Sequence, residues 1–441
     1  MELALVSTID LLLVPLYFII LFFFIILLKK KYSHNVLIQK YLVKGFIFKI
    51  FGGLFYALLV VYYWGFGDTV NYFKEVVEIK RLMAEGRISV FQAYFADYTF
   101  FRENFGIVTI PNNNGLVVTR LALLLSYFSF SRFLVITMLF STASYCCLFI
   151  LFKTFCNIAP KLYKAIAIIV LFIPSMSIYG SGILKDTICM SALSLFFYSV
   201  HAIFMKKNLS LKFIGIMIIS AYFILVIKSY ILAAFLLPLI LFVIISSINN
   251  IKNSFIRGAV YILSLAIAVA GFYIFSDQIF GVIGFDNLED VANGISYLQD
   301  QYAGMQDNAD SNFTIVSIEP SLIGILKAMP AGFVATLYRP FLWEANKIFV
   351  LFSALESLSL LLFTLYVLFT AGIKRFFQYF LSNSIIFLSL GFAIIFASIV
   401  GLSANNFGTL ARYRLPAIPF YLFGLLLILY NAKMEKSKIL P

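Results

Sequence analysis

Charge is scarce in this sequence, and its scarcity excludes most soluble classes of protein. Only 12% of the 441 residues are Asp, Glu, Lys or Arg, whereas 62% are hydrophobic. A soluble domain needs about twice that share of charge to cover its surface. Apolar runs recur from end to end, and they are close to the length of about 20 residues that a helix needs to cross a bilayer. The sequence therefore predicts an all-α fold, a polytopic transmembrane helical bundle.

Histidine and cysteine are also scarce, which excludes several kinds of catalytic centre. The two histidines are predicted near the inner face, so outer-face chemistry that relies on an imidazole base is disfavoured. The four cysteines lack the spacing of a metal site, and no nucleotide-phosphate loop or Rossmann fingerprint occurs. The net charge of +13 is a topology signal in a membrane protein. We expect no metal, no cofactor and no nucleic-acid partner.

Apolar windows and polar breaks predict about eleven spans. Segments that we assign to the cytoplasm, the C-terminal one included, hold 18 Lys and Arg and one acid. Segments assigned outside hold 14 Lys and Arg and, apart from the N-terminal Glu2, 16 acids. Because cytoplasmic loops carry the excess of Lys and Arg, this asymmetry predicts the N-terminus outside and the C-terminus inside. The predicted spans are 4–27, 46–64, 133–152, 165–183, 187–205, 213–227, 231–248, 259–276, 348–371, 384–402 and 415–432.

The chain is expected to form a single integral membrane domain, 1–441, with two extracytoplasmic segments at 65–132 and 277–347. Each of these segments contains an apolar stretch too short to span comfortably, at 121–130 and at 322–338. We expect both stretches to form short interfacial or re-entrant helices.

Five cations from four parts of the chain are predicted at one depth near the outer face. Charges at such depth are costly unless they are paired or hydrated, and they commonly mark functional sites. A cluster of them could hold the phosphate of a lipid carrier, since arginine donates two parallel hydrogen bonds to such a group. The five are Lys185, Lys228, Arg339, Arg412 and Arg414.

Each cation also has a structural alternative. Lys185 could pair with its neighbour Asp186 or extend to the headgroups, and Arg339 could form a local ion pair with Glu344. The two arginines that precede the last span could bind lipid headgroups instead of substrate. The prediction that all five cations lie at one depth is what favours a functional site.

Two acids stand out beside these cations. Asp68 follows the second span directly and could act as a general base, or it could cap the next helix. Glu356 lies inside a predicted span, where we expect it to pair with a cation such as Lys49 or Arg339.

Outer-face aromatics could stack on sugar rings or form the usual interfacial belt. The substrate-binding candidates among them are Tyr72, Tyr230 and Trp343.

Short motifs resemble a family of bacterial envelope proteins. They are GDTVNY at 67–72, PSMSIYGSGILKD at 174–186, a lysine that splits a span pair at 228, and RYRLPAIP at 412–419. Together they resemble the Wzy-like and EpsG-like polymerases of O-antigen, capsule and exopolysaccharide. The chain departs from the usual outline of one dominant periplasmic loop, because two segments of similar length share that place.

The resemblance implies a multi-pass protein of the bacterial inner membrane that polymerises oligosaccharide units linked to undecaprenyl pyrophosphate, on the extracytoplasmic face. It implies membrane lipids, a chain-length regulator and a flippase of the same pathway as partners. It implies a catalytic set, and a substrate-binding set around it. The catalytic set is Asp68, Arg412 and Arg414, and the binding set is Lys185, Asp186, Lys228, Tyr230, Arg339, Glu344, Tyr72 and Trp343.

Two other classes remain open. One is a GT-C glycosyltransferase that uses a polyprenyl-phosphate sugar, although no paired acidic motif stands near Asp68. The other is a transporter or flippase of lipid-linked sugars, a class that usually shows internal repeats and charges along the interiors of its spans.

Overall fold

A computed structural model describes residues 5–31, 36–106, 113–248, 322–404 and 406–439 of the chain. Most of these residues are helical, with no β-strand among them, and eight of their helices are long and apolar enough to cross a membrane. The chain divides into two compact units, Met1–Lys228 and Ser229–Pro441. The expected all-α fold is confirmed for the described residues.

The first unit contains ten complete helices and the first part of an eleventh. A π-helical turn ends α2 at Val60–Trp64, and another ends α10 at His201–Met205. The helices are α1 (Asp10–Lys31), α2 (Val36–Leu59), α3 (Asp68–Ala84), α4 (Val90–Phe95), α5 (Tyr98–Phe105), α6 (Asn113–Ser126), α7 (Phe133–Ile158), α8 (Tyr163–Leu171), α9 (Pro174–Ile178), α10 (Lys185–Val200) and α11 (Leu211–Ile248).

An ion pair joins the starts of α1 and α7. Arg132, the N-cap of α7, donates from Nε to Asp10 Oδ1 over 2.9 Å and from Nη2 to Oδ2 over 2.7 Å. The hydrogen bonds to Asp10 raise the pKa of the Arg132 guanidinium above its ordinary value. Asp10 also accepts from Ser7 N over 2.7 Å, which fixes the residues before α1. The two helices therefore begin at the same end of the unit.

The predicted span 165–183 is wrong as a single helix. The chain forms α8, leaves the helical conformation at Phe172, and forms the short α9 before a non-helical stretch that lasts to Leu184. Pro174 explains the break, because proline has no N–H and forces the preceding residue toward extended torsion angles. Ile173 has φ −73° and ψ 125°. With nine residues, α8 rises only about 14 Å.

Helix α11 combines two predicted spans, 213–227 and 231–248. Lys228 is the residue inside it with non-helical torsion angles, φ −148° and ψ 74°. The predicted interruption at this lysine is therefore present as a break in helical geometry. Together with the broken span at 165–183, and with 259–276 lying outside the described residues, this accounts for eight candidate spans where the sequence predicted eleven.

The second unit contains the rest of α11 and six further helices. Three of them match predicted segments closely, at 322–338, 348–371 and 384–402. The helices are α12 (Leu322–Tyr338), α13 (Ile348–Ala371), α14 (Ile373–Ser382), α15 (Ser384–Ser403), α16 (Phe407–Tyr413) and α17 (Ala417–Ile439).

Two glycines bring α12 and α15 into backbone contact. A Cβ added at Gly401 would lie 1.9 Å from the carbonyl oxygen of Gly332, and one at Gly332 would lie 2.4 Å from that of Ser398. Thr336 donates to the carbonyl of Ala397 over 2.6 Å along the same contact. Small residues permit such close packing of helices in membranes. The helix predicted at 322–338 is thus packed along its neighbour.

The first predicted extracytoplasmic segment is organised by amphipathic helices. Helix α3 buries one side, and Ser89 opens α4 with a capping box to Gln92. The helix expected at 121–130 begins earlier and ends at Ser126, because Phe130 and Ser131 adopt positive φ. Residues 277–321 of the second segment lie outside the described residues.

Candidate functional site

A buried ion pair lies at the start of α10. Lys228 Nζ donates to Asp186 Oδ1 over 2.5 Å, and the two side chains are 9% and 3% exposed. Because both charges are buried, each depends on the other for its stability. The break in α11 is what brings Lys228 to this position, since the chain leaves helical geometry at that residue.

Lys185 places a second cation beside the pair. It is the first residue of α10 and is half-buried, and its ammonium interacts electrostatically with Lys228, Asp68 and Asp186. Asp68 begins α3 and is exposed. We call these four residues the carboxylate–lysine cluster; it brings together four of the predicted site residues.

Asp68 does not cap its helix. The N-cap of α3 is Gly67, at φ 154°, and Asp68 is the first residue of the helix. The alternative in which Asp68 serves as an N-cap is therefore wrong. As the first helical residue it stands at the positive end of the α3 dipole.

The N-terminus of α10 adds a positive field to the cluster. Leu184 precedes the helix in an extended conformation and has no side chain that could cap it. The first N–H groups of a helix have no intrahelical partner, and the helix dipole places partial positive charge there. Lys185 stands at this end, so ammonium and helix terminus act on the same region.

The break before α10 is stabilised by a buried lysine of α2 that sequence reasoning named only as a possible partner of Glu356. Lys49 Nζ donates to the carbonyl oxygens of Met176 and Gly180 over 2.7 and 2.6 Å. Ser144 donates to the same Gly180 oxygen over 2.9 Å. Lys49 thus satisfies carbonyls that a continuous helix would have paired. Its position inside an apolar run was the signal in the sequence.

A second cluster, in the second unit, surrounds Arg414. Its side chain is fully buried, and Nη1 donates to Ser357 Oγ over 2.6 Å. Nη2 donates to Glu356 Oε1 over 2.9 Å, so Glu356 pairs with a cation as expected, but the cation is Arg414. Arg414 Nε has no hydrogen-bond partner among the described residues. An orphaned buried donor is costly and calls for a functional or structural reason.

Arg339 and Glu344 form the local ion pair that the sequence left open as an alternative. Arg339 Nε donates to both Glu344 carboxylate oxygens, over 3.0 and 3.1 Å, and Nη2 donates to Oε1. The carbonyl of Arg339 accepts from Ser357 over 3.0 Å, which joins this pair to the Arg414 cluster. Arg412 is half-buried on α16.

The three aromatic candidates differ in exposure. Trp343 is 80% exposed and stacks on Phe341 with ring centroids 4.8 Å apart. Tyr230 is half-buried and stacks on Phe396 at 5.9 Å. Tyr72 is 4% exposed and lies buried in the first unit, so it offers no open ring face for a sugar.

Sequence reasoning missed a buried carboxylate on the same helix as Asp68. Glu75 is buried between α3 and α6 and accepts a hydrogen bond from Thr119 over 2.9 Å. It falls on the face of α3 that also buries Tyr72, Val76 and Ile79. Helical periodicity was the signal, because positions three and four apart share one face.

No known protein family, curated protein or solved structure matches the chain. Among the described residues, no group of three or more His, Cys, Asp or Glu side chains could hold a metal ion.

Proposed function

We propose that the chain is a polysaccharide polymerase of the Wzy-like and EpsG-like kind, in a bacterial inner membrane. It would transfer a growing glycan from one undecaprenyl-pyrophosphate carrier to a sugar hydroxyl of the next, on the extracytoplasmic face. One observation carries the proposal: exposed Asp68 interacts electrostatically with Lys185, at the N-terminus of α10 where Leu184 makes no side-chain cap.

Asp68 and Lys185 supply the two groups that the transfer needs, a carboxylate for the acceptor hydroxyl and a cation for the pyrophosphate. A pyrophosphate at the start of α10 lies at the positive end of the helix dipole and is attracted by the ammonium of Lys185. The carboxylate of Asp68 is exposed beside it, where it could accept a proton from an acceptor hydroxyl. Apolar helices on either side suit a lipid whose tail stays in the bilayer.

The reaction then proceeds as a substitution at the anomeric carbon. The acceptor oxygen forms a bond to that carbon, and the carbon–oxygen bond to the pyrophosphate breaks with its electron pair leaving on the phosphate. Asp68 takes the hydroxyl proton, while Lys185 and the start of α10 stabilise the charge on the leaving group.

The buried cations have a positioning role in this scheme. Lys228 is neutralised by Asp186, and Arg414 by Glu356, so neither offers a full charge to the substrate. Lys228 fixes the residue that follows Lys185. Arg414 and Ser357 fix the backbone of Arg339, whose guanidinium is partly exposed beside Trp343 and Glu344.

A deletion strain tests the class of function. If the chain is a polymerase, the strain exports single repeat units on their carrier and makes no long chains. Loss of all carrier-linked sugar outside would indicate a flippase instead. Normal chain length with one side-branch sugar missing would indicate a GT-C glycosyltransferase.

Residue substitutions test the site itself. Removing a general base should slow transfer by about 10²–10⁴-fold, so Asp68→Asn should abolish visible polymer at normal protein abundance. Lys185→Ala should do the same, with partial recovery in Lys185→Arg. Glu78→Gln is the matched control, because Glu78 lies on the same helix but pairs with exposed Arg81. Wild-type chain length in Asp68→Asn would remove the carboxylate–lysine cluster from the mechanism.

A further inference from the structure

Helix α14 occupies a predicted cytoplasmic loop between two candidate spans. Gly372, at φ 79°, turns the chain directly from the end of α13 into α14. Asn383 ends α14 and caps α15 by accepting from the N–H groups of Ile385 and Ile386. With one residue on each side, α14 is held level with the ends of two apolar helices. That level is where a bilayer meets water.

One face of α14 is apolar and uncovered. Ile373, Phe377 and Leu381 are all exposed and follow one another at four-residue spacing, so they form a stripe along the helix. The face next to this stripe packs toward the unit through the half-buried Phe376 and Phe380, the latter 5.2 Å from Phe387 between ring centroids. The stripe therefore remains exposed after α14 has packed against the second unit.

Cations surround this apolar stripe. Lys374 and Arg375 lie on α14 itself, and Lys433 and Lys436 lie on α17, whose end packs beside it. Lys436 donates to the carbonyl of Thr370 over 2.9 Å, and Lys433 lies 5.6 Å from the ring of Tyr366. Both contacts place these ammonium groups at the end of α13, next to the start of α14.

Among the residues that the structure describes at this end of the unit, one carboxylate opposes these cations, and it is already engaged. Glu435 accepts from Tyr379 and lies 3.7 Å from Arg375. Four cations against one carboxylate give this end of the unit a positive surface. An apolar stripe with basic neighbours is the pattern of a helix that lies in the headgroup region of an anionic leaflet.

We propose that α14 is an anionic-phospholipid site, with its apolar stripe inserted among the acyl chains and Lys374, Lys433 and Lys436 binding headgroup phosphates. The proposal does not depend on the polymerase activity or on the carboxylate–lysine cluster. It rests on the juxtaposition of an uncovered apolar stripe, four cations and two flanking apolar helices at one end of the second unit.

The test places a fluorescent bimane label at Gln378→Cys, an exposed position on α14, in full-length protein whose four cysteines are replaced by alanine. The protein is reconstituted in nanodiscs that contain brominated phosphatidylglycerol or brominated phosphatidylcholine. Each basic side chain near a membrane surface contributes about a fivefold preference for anionic lipid. Half-maximal quenching should therefore need at least fivefold less phosphatidylglycerol than phosphatidylcholine. The difference should shrink toward unity in 1 M salt.

Variants separate the contribution of the basic side chains to lipid binding from that of the apolar stripe. Lys374→Gln with Lys433→Gln should reduce the preference for phosphatidylglycerol, whereas Phe377→Ser should weaken quenching by both lipids. Lys161→Gln with Lys164→Gln is the matched control, since both lysines are exposed in the first unit, and it should leave the preference unchanged. Equal quenching by both lipids in the unaltered helix, or quenching by neither in folded protein, would overturn the proposal.

Discussion

Lys228 and Asp186 show what a charge requires inside an apolar helical unit. Moving either ion out of water costs several kcal/mol, and the cost is recovered only when a partner of opposite sign lies at hydrogen-bond distance. Their 2.5 Å contact meets that condition. The pair is therefore coupled, and removal of one member takes from the other the ion-pair partner that offsets its burial.

Lys228→Met should destabilise the protein by about 3–5 kcal/mol, because Asp186 loses the ammonium that neutralises it. Equilibrium unfolding of the purified protein in mixed micelles, by titration with SDS, measures this change. Glu78→Gln breaks an exposed pair with Arg81 and should change stability by less than about 1 kcal/mol.

The double variant Lys228→Met, Asp186→Leu separates the pair's coupling from the packing of each side chain. Apolar replacements of similar volume often leave stability unchanged or increase it. We expect the double variant to recover most of the loss seen in Lys228→Met. A double variant as unstable as the single one would contradict the coupling.

At the scale of helices, long apolar runs were predictable and their interruptions less so. The span predicted at 348–371 is α13 to the residue, because a uniform apolar run with Gly372 after it leaves few alternatives. The prediction of a single span at 165–183 is wrong because the helix is broken before Pro174. Helix α14 was missed because its apolar residues are spaced along one face rather than gathered in a run.

The cations of the candidate site could be predicted from the sequence, whereas the residues that pair with them could not. Lys185 and Asp186 are adjacent in sequence, yet neighbours on a helix point about 100° apart and do not face each other. The partner of Asp186 therefore had to come from another segment, and only the fold identifies it as Lys228. Arg414 and Glu356 were likewise predicted separately and joined by the fold.

The crossing of α12 and α15 gives a prediction at this scale. A methyl group at Gly401 would lie 1.9 Å from the carbonyl oxygen of Gly332, so backbone would have to move. Gly401→Ala should therefore destabilise the protein by about 1–3 kcal/mol through overpacking, measured by the same titration with SDS.

Gly215→Ala is the matched control for that crossing. Gly215 lies inside α11 with open space where its Cβ would stand. There the change only improves helix propensity, so stability should rise by about 0.5–1 kcal/mol. Equal effects of both substitutions would show that the close contact between α12 and α15 does not contribute to stability.

Across the whole molecule, the two units carry the same charge asymmetry independently. Predicted cytoplasmic segments of the first unit hold eleven Lys and Arg and no acid, and those of the second hold seven and one acid. The rule that basic loops stay in the cytoplasm thus predicts the same orientation from each unit separately. It assigns the carboxylate–lysine cluster to the outside and α14 to the inside.

Cysteine labelling in intact cells tests that orientation for each unit separately. In a chain whose four cysteines are alanine, a membrane-impermeant maleimide should label Arg87→Cys and Trp343→Cys, both exposed on predicted outer segments. Lys164→Cys and Lys374→Cys, exposed on predicted inner segments, should react only after permeabilisation. A reversed pattern in the first unit would place Asp68 and Lys185 in the cytoplasm, where an exported lipid-linked glycan never meets them. A reversed pattern in the second unit alone would mean that the basic loops do not set its orientation.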